Sequence, residues 1–391
     1  MDYTVDEVMN YIEEEDVKFI RLAFHDAFGR QKNISVLPDE LKKSFELGAP
    51  INAKKIAGFR DCGCAELYLK PNPNTMAILP WRPDSGKVLR MFCDVVTPDG
   101  KEYTSDTRSM LKHAVEAAKA KGIEFRFGTE SEFYLFKKDD EGNPTKIPYD
   151  NAGYMDIAPL DKCENMRREI ILTIERMGLT PERSHHESGP GQNEIGFHYG
   201  KPVNAADHMT TFKMVVRTIA DRYGLFADFS PMPLPGHPGN GYHINVYAVT
   251  EDGEDVVKYA AAGILDRIKD ITIFLNPTDA SYTRFGEDTA PDRIDWSSEG
   301  ASELMHVGSY RGYTRVELRS PDAASNPYLV YTLLIYAGLY GIENKLELPE
   351  AFDDENGHLP RSREAAAEIA AHSEFVRQIV PEEIIKEYTR G

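Results

Sequence analysis

Apolar and polar positions alternate along "KFIRLAFHDAFGRQKNISV", which predicts two half-buried strands around a turn at Asp26 to Gly29. "AELYLKPNPNTMAILPW" and "VLRMFCDVVTPDG" predict further strands, broken by Pro and Asn turns. Residues 4 to 15 carry a helical period, but the first third of the chain is otherwise short β. The period then changes. "TRSMLKHAVEAAKAKG" predicts a helix capped by Ser105 or Asp106 and stopped at Gly122. Helical patterns recur at 162 to 178, 204 to 223, 255 to 275 and 326 to 345. They mix with strands without strict alternation, so the expected class is α+β rather than a doubly wound parallel sheet. The change of pattern divides the chain into residues 1–103 and 104–391.

One predicted strand is unusual. "FGTESEFYLF", residues 127 to 136, is apolar and aromatic, yet Glu130 and Glu132 lie two apart and share a face. Two like charges ~5 Å apart repel by roughly 3 kcal/mol at an effective dielectric near 20. A cation, a shared proton or open solvent must offset that. Similar strand-like segments carry Glu187 and Glu194 ("HHESGPGQNEIGFHYG"), His243 ("GNGYHINVYA") and Glu317 ("TRVELRSPD"). Taken singly, each is an ordinary strand-edge residue facing water. Five glutamates and one histidine together suit Mg²⁺ or Mn²⁺ rather than Zn²⁺, with carboxylates enough for two ions.

Bulk properties narrow the partners. The net charge of −19 over 391 residues argues against nucleic acid or an anionic membrane. The longest apolar run, "YLVYTLLIYAGLYGI", is short of a membrane span and reads as a buried helix. The acidic start "MDYTVDEVMNYIEEEDV" has no signal-peptide pattern. Cys62, Cys64, Cys93 and Cys163 form neither a disulfide scaffold nor a zinc pattern, so structural thiols in a reducing, cytoplasmic setting are expected.

Ordered along the chain, "IRLAFHDAFGRQK", "IAGF", "LPW", "CDVVTPDG", "FGTESEFYLF", "YMDIAPLD", "HHESGPGQNEI", "GNGYHINV", "NPTDASYTRF" and "RVELRSPDAASNPYL" resemble glutamine synthetase over nearly its whole length. The resemblance implies a β-grasp N-terminal domain followed by a catalytic domain with a curved antiparallel sheet and flanking helices. It implies double rings of identical subunits with active sites between them. It assigns Glu132, Glu187 and Glu194 to one metal ion, and Glu130, His243 and Glu317 to a second. Arg284 and Arg319 match arginines that hold the substrate carboxylates; Asn193, Gly239, Gly241 and Tyr154 match the surroundings of the amino acid. Arg315, Asn245 and His306 fall on the nucleotide side.

Departures from the family pattern point to altered chemistry. The family's Phe-Asp-Gly-Ser-Ser loop, which helps bind ammonium, corresponds to "INAKKIAGF", with Asn52 for the aspartate and Lys54 and Lys55 for the serines. The flap reads "RFGEDTAP", with Thr289 where a glutamate belongs and Glu287 as a possible substitute. Ala301 and His306 replace two phosphate-facing arginines, Met232 replaces a lysine, and Tyr247 replaces a small residue. The chain ends at "EEIIKEYTRG", short of the family's usual last helices. The first functional expectation is an ATP-dependent glutamate–amine ligase using an amine other than ammonium. A second is a metal-dependent, ATP-independent hydrolase or transferase of γ-glutamyl-type amides. A third is a non-catalytic paralogue. All three imply a small glutamate-like ligand and a homo-oligomeric ring.

Overall fold

The computed structural model describes residues 3–286, 290–300, 303–310, 313–351 and 357–390. The first part begins with α1 (Val5–Glu14), where Thr4 and Glu7 cap each other reciprocally. A six-stranded sheet follows, built from β1 (Val17–His25), β2 (Gln31–Val36), β3 (Ala49–Asn52), β4 (Glu66–Pro71), β5 (Ala77–Ile78) and β6 (Lys87–Val96). Its order is β2-β1-β6-β4-β3, with β1 and β6 parallel and β5 beside β6. Helix α2 (Pro38–Leu47) packs on β1 and β4. The strand pattern alone does not announce it, although Pro38 stands in its first turn and Gly48 ends it at φ 81°.

The second part is a nine-stranded sheet: β7 (Ile123–Lys138), β8 (Pro144–Pro148), β9 (Pro181–His186), β10 (Gln192–Gly200), β11 (Leu225–Asp228), β12 (Tyr242–Thr250), β13 (Trp296–Ser297), β14 (Met305–Tyr310) and β15 (Tyr313–Leu318). The order β13-β14-β15-β12-β7-β10-β9 is antiparallel except for the β13–β14 pair, and β7 also carries β8 and β11. Helices α3 (Thr107–Ala120), α4 (Glu164–Arg176), α5 (Pro202–Arg222), α6 (Val257–Leu275), the short α7 (Asp279–Thr283) and α8 (Pro327–Glu343) flank it. Helices α9 (Arg363–His372), α10 (Glu374–Ile379) and α11 (Glu382–Thr389) close the chain against α6 and its surroundings. This is the α+β fold expected. Asp106 is the observed cap of α3, its side chain accepting from the Arg108 amide.

Helix α8 is the apolar run of the sequence, and it is buried almost along its length because it packs among α3, α5 and α6, with Tyr331 stacked on Phe127 of β7. Gly263 on α6 and Gly341 on α8 let the two backbones meet: a Cβ on Gly341 would sit 2.1 Å from the Tyr259 carbonyl oxygen. No helix among the described residues is long and apolar enough to cross a membrane.

The smaller sheet meets α8 at His25, the last residue of β1. Its ring lies 5.2 Å from that of Phe92 and 4.7 Å from that of Tyr328 on α8. Neither ring nitrogen has a hydrogen-bond partner among the described residues. Burial, reinforced by Arg108 and Arg90 against the opposing charge of Asp207, brings its pKa down from 6.5 to about 3. The folded chain therefore keeps His25 neutral where the unfolded chain protonates it, so stability falls as pH drops from 6.5 toward 3. A His25→Phe variant should lose about 2 kcal/mol less than the parent between pH 6.5 and pH 5. Urea unfolding at both pH values checks this, and parallel losses would contradict it.

Candidate active site

The register of the large sheet gathers the acidic residues. On β7, Glu132 faces Glu194 of β10, which faces His185 of β9. One row along, Glu130 faces His243 of β12 on one side and Gly196 of β10 on the other. Farther out, Asn245 faces Glu317 of β15, which faces His306 of β14. Directly opposed residues in an antiparallel pair share a face. These side chains therefore form one polar wall, while Phe133, Ile195, Ile244, Val316 and Leu318 turn the other way into the helix-covered core. Alternation, not chance, puts both carboxylates of the Glu-x-Glu strand on the wall.

Two clusters result. In the first, donor atoms of Glu130, His243 and Glu317 all lie within 4.8 Å of one another. His243 Nδ1 is 3.5 Å from Glu317 Oε1 and 3.8 Å from Glu130 Oε2. The second, equally compact, joins Glu187 and Glu194 to His185, whose ring nitrogens stand 3.4 and 3.3 Å from the two carboxylates. Sequence reasoning missed His185. The signal was available, since His185 and Glu187 repeat the i, i+2 spacing of Glu130 and Glu132. Glu132 lies close to both clusters, its Oε2 accepting from the Gly241 amide at 2.8 Å and from Gln192 Nε2 at 3.0 Å.

The electrostatics reflect crowding. Burial raises the pKa of Glu132 to about 7, helped by the charges of Glu187 and Glu194 against that of His243. Burial likewise raises that of Glu187. Glu130 goes the other way. Burial opposes its ionisation, but His243, Arg183 and Arg315 outweigh it and bring the value to about 2. Arg183 Nη2 lies 2.6 Å and Arg315 Nη2 3.1 Å from Glu130 Oε1, and Arg315 also holds Glu317 at 2.8 Å.

These residues fit divalent ions. His243 Nε2 is buried without a hydrogen-bond partner among the described residues. Gly241 leaves bare backbone beneath it: a Cβ there would lie 2.7 Å from His243 Nε2 and 3.2 Å from Glu132 Oε1. Hard oxygen donors with an imidazole suit Mg²⁺ or Mn²⁺. A third acidic group, Asp150 with Asp161 and Cys163, is already satisfied. Asp150 accepts from His186 Nε2 and the amides of Lys162 and Gly191, each at 2.9 Å, and Asp161 pairs with Arg167.

The remaining candidates separate. Arg319 points onto the same wall, with Nε and Nη1 buried and without hydrogen bonds among the described residues and Nε 3.8 Å from Glu317 Oε1. Arg284 is fully buried; its Nη atoms donate to the carbonyls of Arg319, Ser320 and Pro321 at 3.0–3.3 Å. In this arrangement it braces the Arg319 segment, and Gly239 makes room for it, since a Cβ there would come within 2.7 Å of the Arg284 side chain. Asn193 is not brought to the wall. It neighbours Glu194 on β10 and so faces the opposite side, where Oδ1 accepts from Arg167 at 2.6 Å. Tyr154 stands at the rim, its ring edge-on to His185 at 5.4 Å. Asn245 accepts from Arg315 Nε at 2.8 Å, and His306 Nδ1 lies 2.8 Å from the Gly300 carbonyl oxygen. Tyr247 packs beside Tyr199. Asn52 and Lys55 belong to the smaller sheet's exposed loop, where Asn52 caps a short turn, and no hydrogen bond or ion pair among the described residues joins them to the wall. Glu287, Thr289 and Ala301 lie outside the described residues.

Metal binding to this wall should stabilise the fold by mass action, by about 2.7 kcal/mol at a hundredfold excess over Kd. Calorimetric titration with Mn²⁺ should show binding that His243→Ala and Glu317→Gln each weaken at least tenfold. Equal affinity in parent and variants would refute the grouping.

The comparisons with known proteins agree with this architecture. The signature described as "Glutamine synthetase, beta-Grasp domain" matches residues 16–98, and "Glutamine synthetase, catalytic domain" matches residues 104–391. Glutamine synthetase of Clostridium saccharobutylicum is 38% identical over 417 residues, spanning 100% of this chain and 94% of that protein. Glutamine synthetase of Methanosarcina mazei is 37% identical over 413 residues, spanning 98% and 92%. Among solved structures, the GmaS/ADP complex in conformation 1 superposes with a TM-score of 0.88 at 23% identity, covering 97% of this chain and 94% of that one. Apo GmaS without ligand gives 0.86 at 24% identity with the same coverage. Those two likenesses concern the fold; the signatures and relatives concern descent, and by them the chain belongs to the glutamine synthetase family.

Proposed function

We propose that the protein is a carboxylate–amine ligase that joins a glutamate-like acid to an amine larger than ammonium, at the expense of ATP. Glu130, His243 and Glu317 would hold one divalent ion, and Glu132, Glu187 and Glu194 another, with His185 beside the second. Bound there, the ions would supply positive charge to acyl and phosphoryl oxygens. Arg319 would receive a substrate carboxylate, because its buried Nε and Nη1 make no hydrogen bond among the described residues and a planar carboxylate matches the guanidinium fork. Arg284 would set the position of Arg319 by tying down the carbonyls of the segment it begins.

The observation that carries the amine assignment is the altered ammonium loop at Asn52 and Lys55, and a cavity of about 420 Å³ at the sheet edge, between α4 and β9, would offer room for a longer substituent. Met155, Ile157, Ile171 and Leu172 give it an apolar part, Asp156, Asp161, Glu164, Arg167 and Arg168 a charged one, and His185 borders it. Ammonium needs no such space; the tail of a primary amine does. Asn52 and Lys55 replace anion and hydroxyls where the family binds ammonium, and both are exposed. They would reach a neighbour's site in a homo-oligomeric ring. Tyr154, Met155, Ile157 and Leu160, each more than half exposed, supply an apolar rim for such a contact. On the nucleotide side, His306 stands where the family has an arginine, and Arg315 is engaged by Glu130, Glu317 and Asn245. Nucleotide binding should be correspondingly weak.

ATP turnover measured with glutamate and a panel of amines tests the reading. Alkyl amines of several carbons should give kcat/KM at least tenfold above ammonium, with a millimolar KM for ATP. Filling the cavity with Ile171→Trp should cost the longer amines roughly tenfold, as expected for loss of one to three kcal/mol of apolar contact, and leave the shortest unaffected. Saturable glutamine formation from ammonium at ~1–100 s⁻¹ would overturn the amine assignment.

A further inference from the structure

The loop between β3 and β4, residues 53 to 65, is closed at its base. Asn52 pairs with Glu66, and the Ala53 amide donates to the Ala65 carbonyl at 3.3 Å. The loop begins with exposed Lys54 and Lys55 and ends with Cys62, Gly63 and Cys64. Gly63 has a φ of 73°, the left-handed region that favours glycine, and no heavy atom lies within 4 Å of the position a Cβ would take. This turn brings the two thiols together in the open: Cys62 Sγ lies 3.1 Å from Cys64 Sγ and 3.1 Å from the Cys64 carbonyl oxygen. Both cysteines are partly exposed, whereas Cys93 and Cys163 are buried. Cys62 and Cys64 pack against the smaller core yet keep their thiols partly exposed.

We propose that Cys62 and Cys64 are a redox modification site, closing to a reversible disulfide that staples the far end of the loop carrying Asn52 and Lys55. The oxidant would be a low-molecular-weight disulfide of the glutathione type. One cysteine thiolate attacks a sulfur of that disulfide and expels one small thiolate, leaving a mixed disulfide. The second cysteine, as thiolate, attacks the protein sulfur and expels the other small thiolate. Two protein S–H bonds are lost, one protein S–S bond forms, and the small disulfide is reduced to two thiols. The sulfurs must approach by about 1 Å to reach the ~2.05 Å of the bond. Cys93 and Cys163 serve as internal controls, because burial shields both thiols from a dissolved disulfide.

The full chain, reduced and then equilibrated with oxidised glutathione, gives the test. Intact mass should show loss of two hydrogens and no retained glutathione, with two thiols still titratable in denaturant. Cys62→Ser and Cys64→Ser should each keep one glutathione adduct, and dithiothreitol should reverse every product. Brief trypsin treatment then reads the loop at Arg60, which is exposed and two residues from Cys62. Cleavage after Arg60 should slow several-fold in the oxidised parent, and the serine variants should show no such slowing. Stable adducts on the parent, unreacted Cys62 and Cys64, or disulfide-linked pairs of chains would each overturn the proposal. A disulfide that left cleavage unchanged would overturn the staple.

Discussion

Five carboxylates on one face of a largely buried sheet must be kept ionised against one another, and the rest of the site follows from that constraint. The pairs nearest each other repel by several kcal/mol at a protein-like dielectric, and burial makes the charged form costlier still. The chain answers at two levels. Arg183 and Arg315 bring positive charge onto Glu130 and Glu317. In the second cluster His185 stands between Glu187 and Glu194, and Arg183 reaches Glu194 only at 3.9 Å, so burial and repulsion lift Glu132 and Glu187 together. A wall so arranged gains most from divalent cations where its own side chains offset the charge least.

The scaffold is organised to hold that wall still. The strands of the wall pair directly in the order β15-β12-β7-β10-β9, so Glu130, Glu132, Glu194, His243 and Glu317 sit on strands paired on both sides, while Glu187 follows the edge strand β9 with its amide donating to the Gln192 carbonyl. Behind them, helices α5, α6 and α8 press an apolar layer against the opposite face. Glycine at 241 and 239 allows backbone to pass directly under His243 and against Arg284, and any side chain there would displace a group of the site. Precision in the wall thus depends on the core behind it.

Much of this was legible in the chain because period-two alternation is a strong signal. Glu130 and Glu132 declared a shared face, and the buried helix over 327–343 followed from its unbroken apolar run. Parity could have gone further. Asn193 and Glu194 are adjacent on one strand and cannot both face the polar wall, and His185 shares the face of Glu187. Arg284 illustrates what pattern cannot supply. Its partners are backbone carbonyls of 319 to 321, which have no side-chain signature. Helix α2 went unannounced because ten residues of mixed polarity between strands resemble a loop, despite the proline and glycine at its ends. The cavity beside His185 was invisible for a related reason, being enclosed by a loop, a helix and a strand edge distant in sequence.

The central claim is that the polar wall is a two-ion site rather than a set of arginine-neutralised carboxylates. Crystals grown with Mn²⁺ and measured at the manganese absorption edge address it directly. The account predicts two anomalous peaks per chain, one among Glu130, His243 and Glu317 and one among Glu132, Glu187 and Glu194, with Arg183 or Arg315 drawn back from Glu130. A map without peaks on this wall, and with both arginines still bridging to Glu130, would contradict it.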